Sequence, residues 1–380
     1  MPDPARPLRI LHILRAPVGG AFRHVVDLAT GQAERGHAVG LICDSTLGGE
    51  RVEAALAAMA PQLRLGIARI AIPRAPGPGD IPALAQISRQ IRRASPDVVH
   101  GHGAKGGAVA RLAPFVRALR VYTPHGGSLH YGPDTWQGRI YGTLERLLMA
   151  RTGLFLFESD FARQRFSDVI GVPKGLIRVV HNGVAEAEFS PVPPGPDAAD
   201  FVFVGELRDL KGPDVLIDAV ASLHRDGRAV RLVLVGDGPD RAALEAQVAH
   251  LGLGEHIRFA GFQPARHGFS LGRVLVMPSR ADSLPYVAIE AAAAAMPLIA
   301  TRIGGIPEIF GPEADRLIPA GDVAALAEAL TRALAAPDVL AASTARLQTR
   351  IRASFSLAAM VDSVLAAYAE AMALTNAHRR

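Results

Sequence analysis

Two acids, Asp282 and Glu290, stand eight positions apart in "SRADSLPYVAIEAAAA" (279–294), directly after the apolar run "RVLVMP" (273–278). The segment reads as strand, loop, helix, with Asp282 in the loop and Glu290 in the first turns of an alanine-rich helix. A carboxylate near the positive end of a helix can accept two hydroxyl hydrogen bonds, as from a ribose. The backbone N–H groups of Leu284 and Tyr286 could face a phosphate, whereas Pro285 has no N–H to give. A capped helix with Glu290 on its surface is the plainer alternative. Against it, Glu290 is the one charge in "AIEAAAAAM", and a lone charge in an apolar helix is costly without a partner.

Other segments carry complementary chemistry. In "FVFVGELRDLKGPDVLIDA", Gly205 ends a strand and is followed by Arg208 and Lys211. Two cations there suit a diphosphate; a solvated basic loop is the alternative. "RAPVGGAFRHV" sets Gly19 and Gly20 between a strand and a helix, so that backbone N–H groups form an anion seat or simply a tight turn. In "LVLVGDGP", Gly236 and Gly238 allow either close ligand approach or an ordinary turn. Histidines cluster in "VVHGHGAKGG" (His100, His102) and "YTPHGGSLHY" (His125, His130). His100 and His102 share a strand face, which leaves metal, structural and ligand-contact roles open; no acid neighbours them in sequence.

These residues need positioning elements. The chain has 380 residues and 49% hydrophobic content, enough for two domains. Strand-like runs at 8–14, 37–44, 63–70, 97–103, 120–126 and 153–159 alternate with helical ones, among them 21–36 and 81–94. After the proline-rich "AEAEFSPVPPGPDAAD" (185–200) the alternation restarts: strands 201–207, 230–238, 257–262, 273–279 and 297–305, helices 213–225, 239–252 and 288–296. Apolar strands alternating with helices give doubly wound parallel sheets, so an α/β protein of two Rossmann-like domains is expected. Their boundaries are 1–186 and 198–356 with a linker at 187–197, the last helix of 357–380 packing back on the first domain. Helices at 323–335, 338–350 and 357–374 complete the chain. A ligand between the domains would meet the C-terminal strand ends of both.

The single cysteine, Cys43, excludes an intramolecular disulfide and a cysteine-based metal cluster and fits a cytoplasmic location. No signal-peptide core or spanning segment is expected. Net charge is +5, but aromatic residues are only 5%, and no nucleic-acid partner is expected.

Taken together and in order, "APVGG", "PDVVHGHG", "YTPHGG", "VVHNGV" (179–184), "FVGELRDLKG", "LVLVGDGP", "IRFAGF", the paired-acid segment and "IATRIGGIPEI" (299–309) resemble the retaining glycosyltransferases of family 4, which have the GT-B architecture. The resemblance spans nearly the whole chain. It implies that Gly19 and Gly20 approach the donor sugar and phosphate and that His125 contacts the transferring sugar or its phosphate. Arg208 and Lys211 would neutralise the diphosphate in place of a metal. Asp282 and the Ser283, Leu284, Pro285, Tyr286 backbone would hold the sugar, Glu290 the ribose, and Gly261 and Phe262 the base. Gly205, Gly236 and Asn182 fall at further substrate-binding positions of the pattern.

The implied reaction is sugar transfer from a nucleotide diphosphate to a saccharide or polyprenyl-linked acceptor in cell-surface or exopolysaccharide synthesis, with no cofactor and no metal. The absence of an Asp-x-Asp motif agrees with charge being met by Lys, Arg and helix dipoles. Two departures stand out: Glu206 replaces the family's frequent arginine, and "DSLPY" replaces its Glu-Gly-Phe-Gly. Alternatives are a sugar-nucleotide epimerase on the same fold or a non-catalytic nucleotide-sugar-binding scaffold. Arg92, Arg93, Arg111, Arg117 and Arg120 offer peripheral contact with an anionic inner membrane, or are ordinary solvated faces.

Overall fold

The computed structural model describes residues 6–114, 117–126 and 135–377. The chain divides into two compact units, Met1–Asn182 with Leu357–Arg380, and Gly183–Ser356. The first unit begins with β1 (Arg9–Leu14), α1 (Gly19–Glu34), β2 (Ala38–Asp44), α2 (Glu50–Met59), β3 (Gly66–Ile70), α3 (Asp80–Ala94), β4 (Val98–His102) and α4 (Gly103–Leu112). It continues with β5 (Leu119–Thr123), α5 (Trp136–Met149), β6 (Leu154–Phe157), α6 (Asp160–Val169) and β7 (Leu176–Val179). The second unit holds β8 (Ala199–Val204), α7 (Pro213–Arg225), β9 (Leu232–Val235), α8 (Arg241–His250), β10 (Ile257–Gly261), α9 (Ala265–Ser270) and β11 (Gly272–Met277). After these come α10 (Tyr286–Ala293), β12 (Leu298–Ala300), α11 (Ile306–Phe310), α12 (Val323–Ala335) and α13 (Pro337–Ser354); α14 (Leu357–Ala377) returns to the first unit.

Both sheets are parallel, ordered β3-β2-β1-β4-β5-β6-β7 and β10-β9-β8-β11-β12. Alternate residues of a strand serve opposite faces. On β8, Phe201 and Phe203 join the cluster with α7, α8 and α12, while Val202 and Val204 join the one with α10, α11 and α13. On β1, Ile10 packs with α1 and α14, while Leu11 and Ile13 pack with α3 and α4. Covering both faces explains why the strands read as continuous apolar runs. The order reverses between β1 and β4 in one sheet and between β8 and β11 in the other. Loops diverge at such points and leave a crevice at the C-terminal strand ends.

Four differences from the sequence reading have physical causes. The edge strand β7 was not anticipated, because its four residues are only half-buried and include the exposed Arg178. Helix α10 begins at Tyr286 rather than 288, since Pro285 in an extended conformation serves as its N-cap. The proline-rich stretch read as a linker is part of the second unit. There Phe189 is buried, the Val192 N–H donates to the Ala294 carbonyl (3.1 Å), and the Gly195 N–H donates to the Ser270 carbonyl (2.8 Å). Finally, α14 is long and apolar enough to cross a membrane by length and composition. Its Met360, Val361, Val364, Ala367, Tyr368 and Ala371 are buried in the first unit's core, which marks it as a core helix.

A chain ending at Ser356 would expose the apolar face that α14 covers. Limited proteolysis of that truncation should digest the first unit while leaving residues 198–356 protected; an intact first unit would contradict this reading.

Candidate active site

In the second unit the chemistry-bearing residues gather at the switch point. The loop after β8 runs Gly205 to Gly212 and the loop after β11 runs Pro278 to Pro285, and β8 and β11 are neighbours. The two loops are bonded to each other: Arg280 and Ala281 donate backbone N–H groups to the Leu210 carbonyl at 2.9 and 3.2 Å. Gly212 has φ +67°, and a Cβ there would lie 2.2 Å from the Pro278 carbonyl oxygen. Only glycine permits both the left-handed turn and this approach.

Across that junction Lys211 Nζ donates to both carboxylate oxygens of Asp282, at 2.6 and 2.7 Å. Both groups are largely shielded, with side-chain exposures of 27% and 12%. Lys211 and Asp282, assigned separately to diphosphate and sugar by the sequence reading, form an ion pair with one another. Arg208 stays exposed, 3.5 Å from Glu206, the residue that departs from the family pattern. Arg280 grips Asp214 through both guanidinium branches, with Nη1 2.7 Å from Oδ1. That buttress ties α7 to the β11 loop. Sequence reasoning missed it, because no local pattern links residues 66 positions apart.

Glu290 is buried in α10 as its fifth residue, not its third. Leu284, Pro285 and Tyr286 are buried and Ser283 is half-buried. The Ser283 carbonyl accepts from the Gly305 N–H at 2.6 Å. Gly304, at φ +54°, has its Cβ direction blocked by the Asp282 carbonyl. The "IGG" of the family pattern is thus a brace for the Asp282 loop, a role that its residue types did not reveal. Gly236 (φ +143°) similarly presses on the Gly205 carbonyl, and Gly238 on the Leu207 backbone. The space their side chains would need is filled by neighbouring backbone, which favours the ordinary-turn alternative for these two glycines. Gly261 (φ +66°) has open space where a Cβ would project, and Phe262 beyond it is about half exposed at the end of β10.

The first unit's switch point holds a buried histidine cluster. Parallel pairing sets His12 of β1 beside His100 of β4, and His102 two residues further along. His12 Nδ1 lies 2.9 Å from His102 Nε2, and His102 Nδ1 lies 3.1 Å from His125 Nε2. His12 Nε2 meets Gln32 Oε1 at 2.9 Å. His100 is engaged by the Tyr368 hydroxyl (2.7 Å) and Thr123 Oγ1 (2.8 Å). His24 Nδ1 meets Asn182 Oδ1 at 3.0 Å. Asn182, expected at a substrate-binding position, is buried and meets His24. His125 has φ +50°, a left-handed backbone that turns the chain sharply out of β5. His130 lies outside the described residues.

Gly19 (φ +66°) opens α1 with Val18 as N-cap. Among the described residues no side chain caps α1 and no acid sits in its first turn, so its N–H end keeps its partial positive charge. Arg111, expected on the surface, is fully buried, 2.8 Å from Glu145 and stacked over Tyr122. Burial also pushes the Cys43 thiol up to about 11, which keeps it protonated.

Burial makes the whole cluster resist protonation. His12 and His125 are pushed down to about 4 by desolvation. His24, His100 and His102 move the same way, from burial first and from the neighbouring histidines second. The nitrogens of His12, His100 and His102, and those of His24, His102 and His125, lie within 4.8 Å of one another, close enough to hold a metal ion by geometry. The unfolded chain takes these protons near the ordinary value of 6.5, where the folded one does not. Stability is therefore full above about pH 7.5 and falls as pH drops through 6.5 toward 4. The expected loss is about 1.4 kcal/mol at one unit below 6.5 from either His12 or His125 alone. Urea midpoints at pH 7.5 and 5.5 check this; equal midpoints would contradict it.

The family model described as Glycosyltransferase Family 4 matches residues 18–188, and that described as Glycosyl transferases group 1 matches residues 198–336. The D-inositol 3-phosphate glycosyltransferase of Actinosynnema mirum is 28% identical over 93% of this chain and 92% of its own length. The 2-deoxystreptamine glucosyltransferase of Streptomyces kanamyceticus is 30% identical over 67% of this chain and 72% of its own. Among solved structures, Anabaena HepE in complex with UDP and glucose has a TM-score of 0.78 at 18% identity, covering 96% of this chain and all of that one. The sucrose-phosphate synthase of Thermosynechococcus elongatus has a TM-score of 0.78 at 21% identity, covering 98% and 97%. With both units matched in order and the two parallel sheets superimposing on these structures, the chain belongs to glycosyltransferase family 4 and has the GT-B fold.

Proposed function

We propose that the protein is a retaining, metal-independent glycosyltransferase that moves a sugar from a nucleotide diphosphate to a saccharide or lipid-linked acceptor. The observation carrying this reading is the Lys211–Asp282 pair at the switch point of the second sheet. An ammonium held there beside a carboxylate can trade partners. When a diphosphate enters, Lys211 turns to its oxygens and Asp282 is released to accept hydroxyl hydrogen bonds from the sugar. Arg208 adds a second, exposed cation. Glu290, buried midway along α10, accepts the ribose hydroxyls, and Phe262 lies against the base. UDP and UDP-glucose are bound by the Anabaena relative of the same fold, which supports a nucleotide-sugar donor of this kind.

In the reaction the bond from the anomeric carbon to the leaving diphosphate breaks, and the acceptor oxygen bonds to that carbon on the same face. The acceptor's proton passes to a diphosphate oxygen. The protein's part is to orient the partners and to neutralise the leaving charge with Lys211, Arg208 and helix N-termini. We place this reaction in surface-polysaccharide synthesis on the cytoplasmic side of the membrane. The exposed Arg92, Arg93 and Arg117 offer contacts to anionic lipid, whereas Arg111 is buried and does not.

Lys211→Ala and Glu290→Ala should each lower nucleotide diphosphate release by about 100-fold or more in assays with UDP-, GDP- and ADP-sugar pools. Lys211→Ala should cost only about 1 kcal/mol of stability, since the pair is partly exposed. Normal turnover in both variants would refute the assignment. A thermal-shift screen of UDP, GDP and ADP identifies the base, because only the bound nucleotide should raise the melting temperature strongly. Release should persist undiminished in excess EDTA; its abolition would remove metal independence.

A further inference from the structure

Gln32, His12 and His102 form a line of hydrogen bonds that ends on His125. Gln32 comes from α1, His12 from β1 and His102 from β4, so three elements converge on one chain of atoms. Each link is 2.9 to 3.1 Å long, and Gln32, His12 and His102 are essentially sealed from solvent. A neutral imidazole carries one N–H, so each ring can donate once and accept once. With Gln32 Oε1 accepting, His12 must donate from Nε2 and accept at Nδ1. His102 must then donate from Nε2 and accept at Nδ1, and His125 must donate from Nε2. Each ring's tautomer dictates the next.

We infer that Gln32, His12 and His102 are positioning residues whose hydrogen-bonded relay fixes the tautomer of His125, leaving its Nδ1 as a lone-pair acceptor. A neutral ring with an open lone pair accepts from a hydroxyl and has nothing to offer a phosphate oxygen. The relay therefore prepares His125 Nδ1 for a ligand hydroxyl rather than for a phosphate oxygen. Depressed basicity of all three rings keeps the relay neutral, as its logic requires. The second member of the cluster, His100, is occupied by Tyr368 and Thr123 and stands outside the line.

Both candidate metal sets include His102, whose two ring nitrogens are already engaged in the line, so a metal there and the relay exclude each other. In the line every inward nitrogen already shares a proton with its neighbour. The test is NMR of the full chain labelled with ¹⁵N-histidine, with no donor present. The relay requires ¹⁵N–¹⁵N couplings across two hydrogen bonds, His102 Nε2 to His12 Nδ1 and His125 Nε2 to His102 Nδ1. It also requires an Nε2 proton and a bare Nδ1 on His125. In Gln32→Met, solvent exchange of the His125 Nε2 proton should quicken by about tenfold or more. Gln32→Glu, whose carboxylate accepts the same bond from His12, should restore slow exchange. One equivalent of Zn²⁺ should leave all three Nε2–H signals in place. Absence of both couplings in the parent protein overturns the relay even if Gln32→Met does not fold. A protonated Nδ1 on His125, unchanged exchange in folded Gln32→Met, or zinc retained with loss of the Nε2–H signals also overturns it. Because no donor enters the measurement, these outcomes are independent of whether Lys211 and Glu290 support turnover.

Discussion

Backbone pressing directly on backbone is the constraint from which the second unit's chemistry follows. Gly212 lies against the Pro278 carbonyl, Gly236 against that of Gly205, and Gly304 against that of Asp282. At each of these positions φ is positive, and a side chain would strike a carbonyl oxygen. The loops after β8, β9, β11 and β12 are thereby locked into one rim. Lys211 and Asp282 are 71 positions apart in sequence, yet they meet at 2.6 Å because the loops bearing them cannot drift. An ion pair on two independent loops would spend its Coulomb energy on ordering them. Here the packing has already done the ordering.

The first unit solves a different problem. It seals several ionisable rings among apolar strands and keeps them uncharged. Desolvation disfavours the imidazolium form, and each nearby ring adds to that penalty. Neutral imidazoles retain both a donor and an acceptor, so the rings find partners in one another and in Gln32, Thr123, Tyr368 and Asn182. The two units thus bring different electrostatics to one family fold: neutral hydrogen-bonding groups in one, and paired charges with an exposed arginine in the other.

Much of this was legible in the sequence. Apolar strands separated by helices gave the two parallel sheets, and helix 213–225 has the boundaries read from its pattern. Glu290 was singled out as a lone charge in an apolar helix, Asp282 as the loop acid eight positions before it, and Lys211 as a cation in the loop after a strand-ending glycine. Three things were hidden. Pairing between distant positions, as in Lys211–Asp282 and Arg280–Asp214, depends on strand order, which no local pattern encodes. The purpose of Gly236, Gly238 and Gly304 depends on what each faces, and a glycine against a carbonyl reads the same as one against a ligand. His12 and His24 were passed over because each stands alone in an apolar segment, and only the register of β1 on β4 assembles the cluster.

The return of α14 to the first unit has a further consequence, for the order in which the protein is made. The second unit is a contiguous stretch, Gly183–Ser356, and can close on itself as soon as it leaves the ribosome. The first unit cannot: Tyr368, which packs on its central strands and bonds His100, is synthesised 186 residues after Asn182 closes that unit's N-terminal segment. Nascent sheet β1–β7 must wait with part of one face uncovered while the whole second unit is translated. The half of the molecule that is begun first is the half that is finished last.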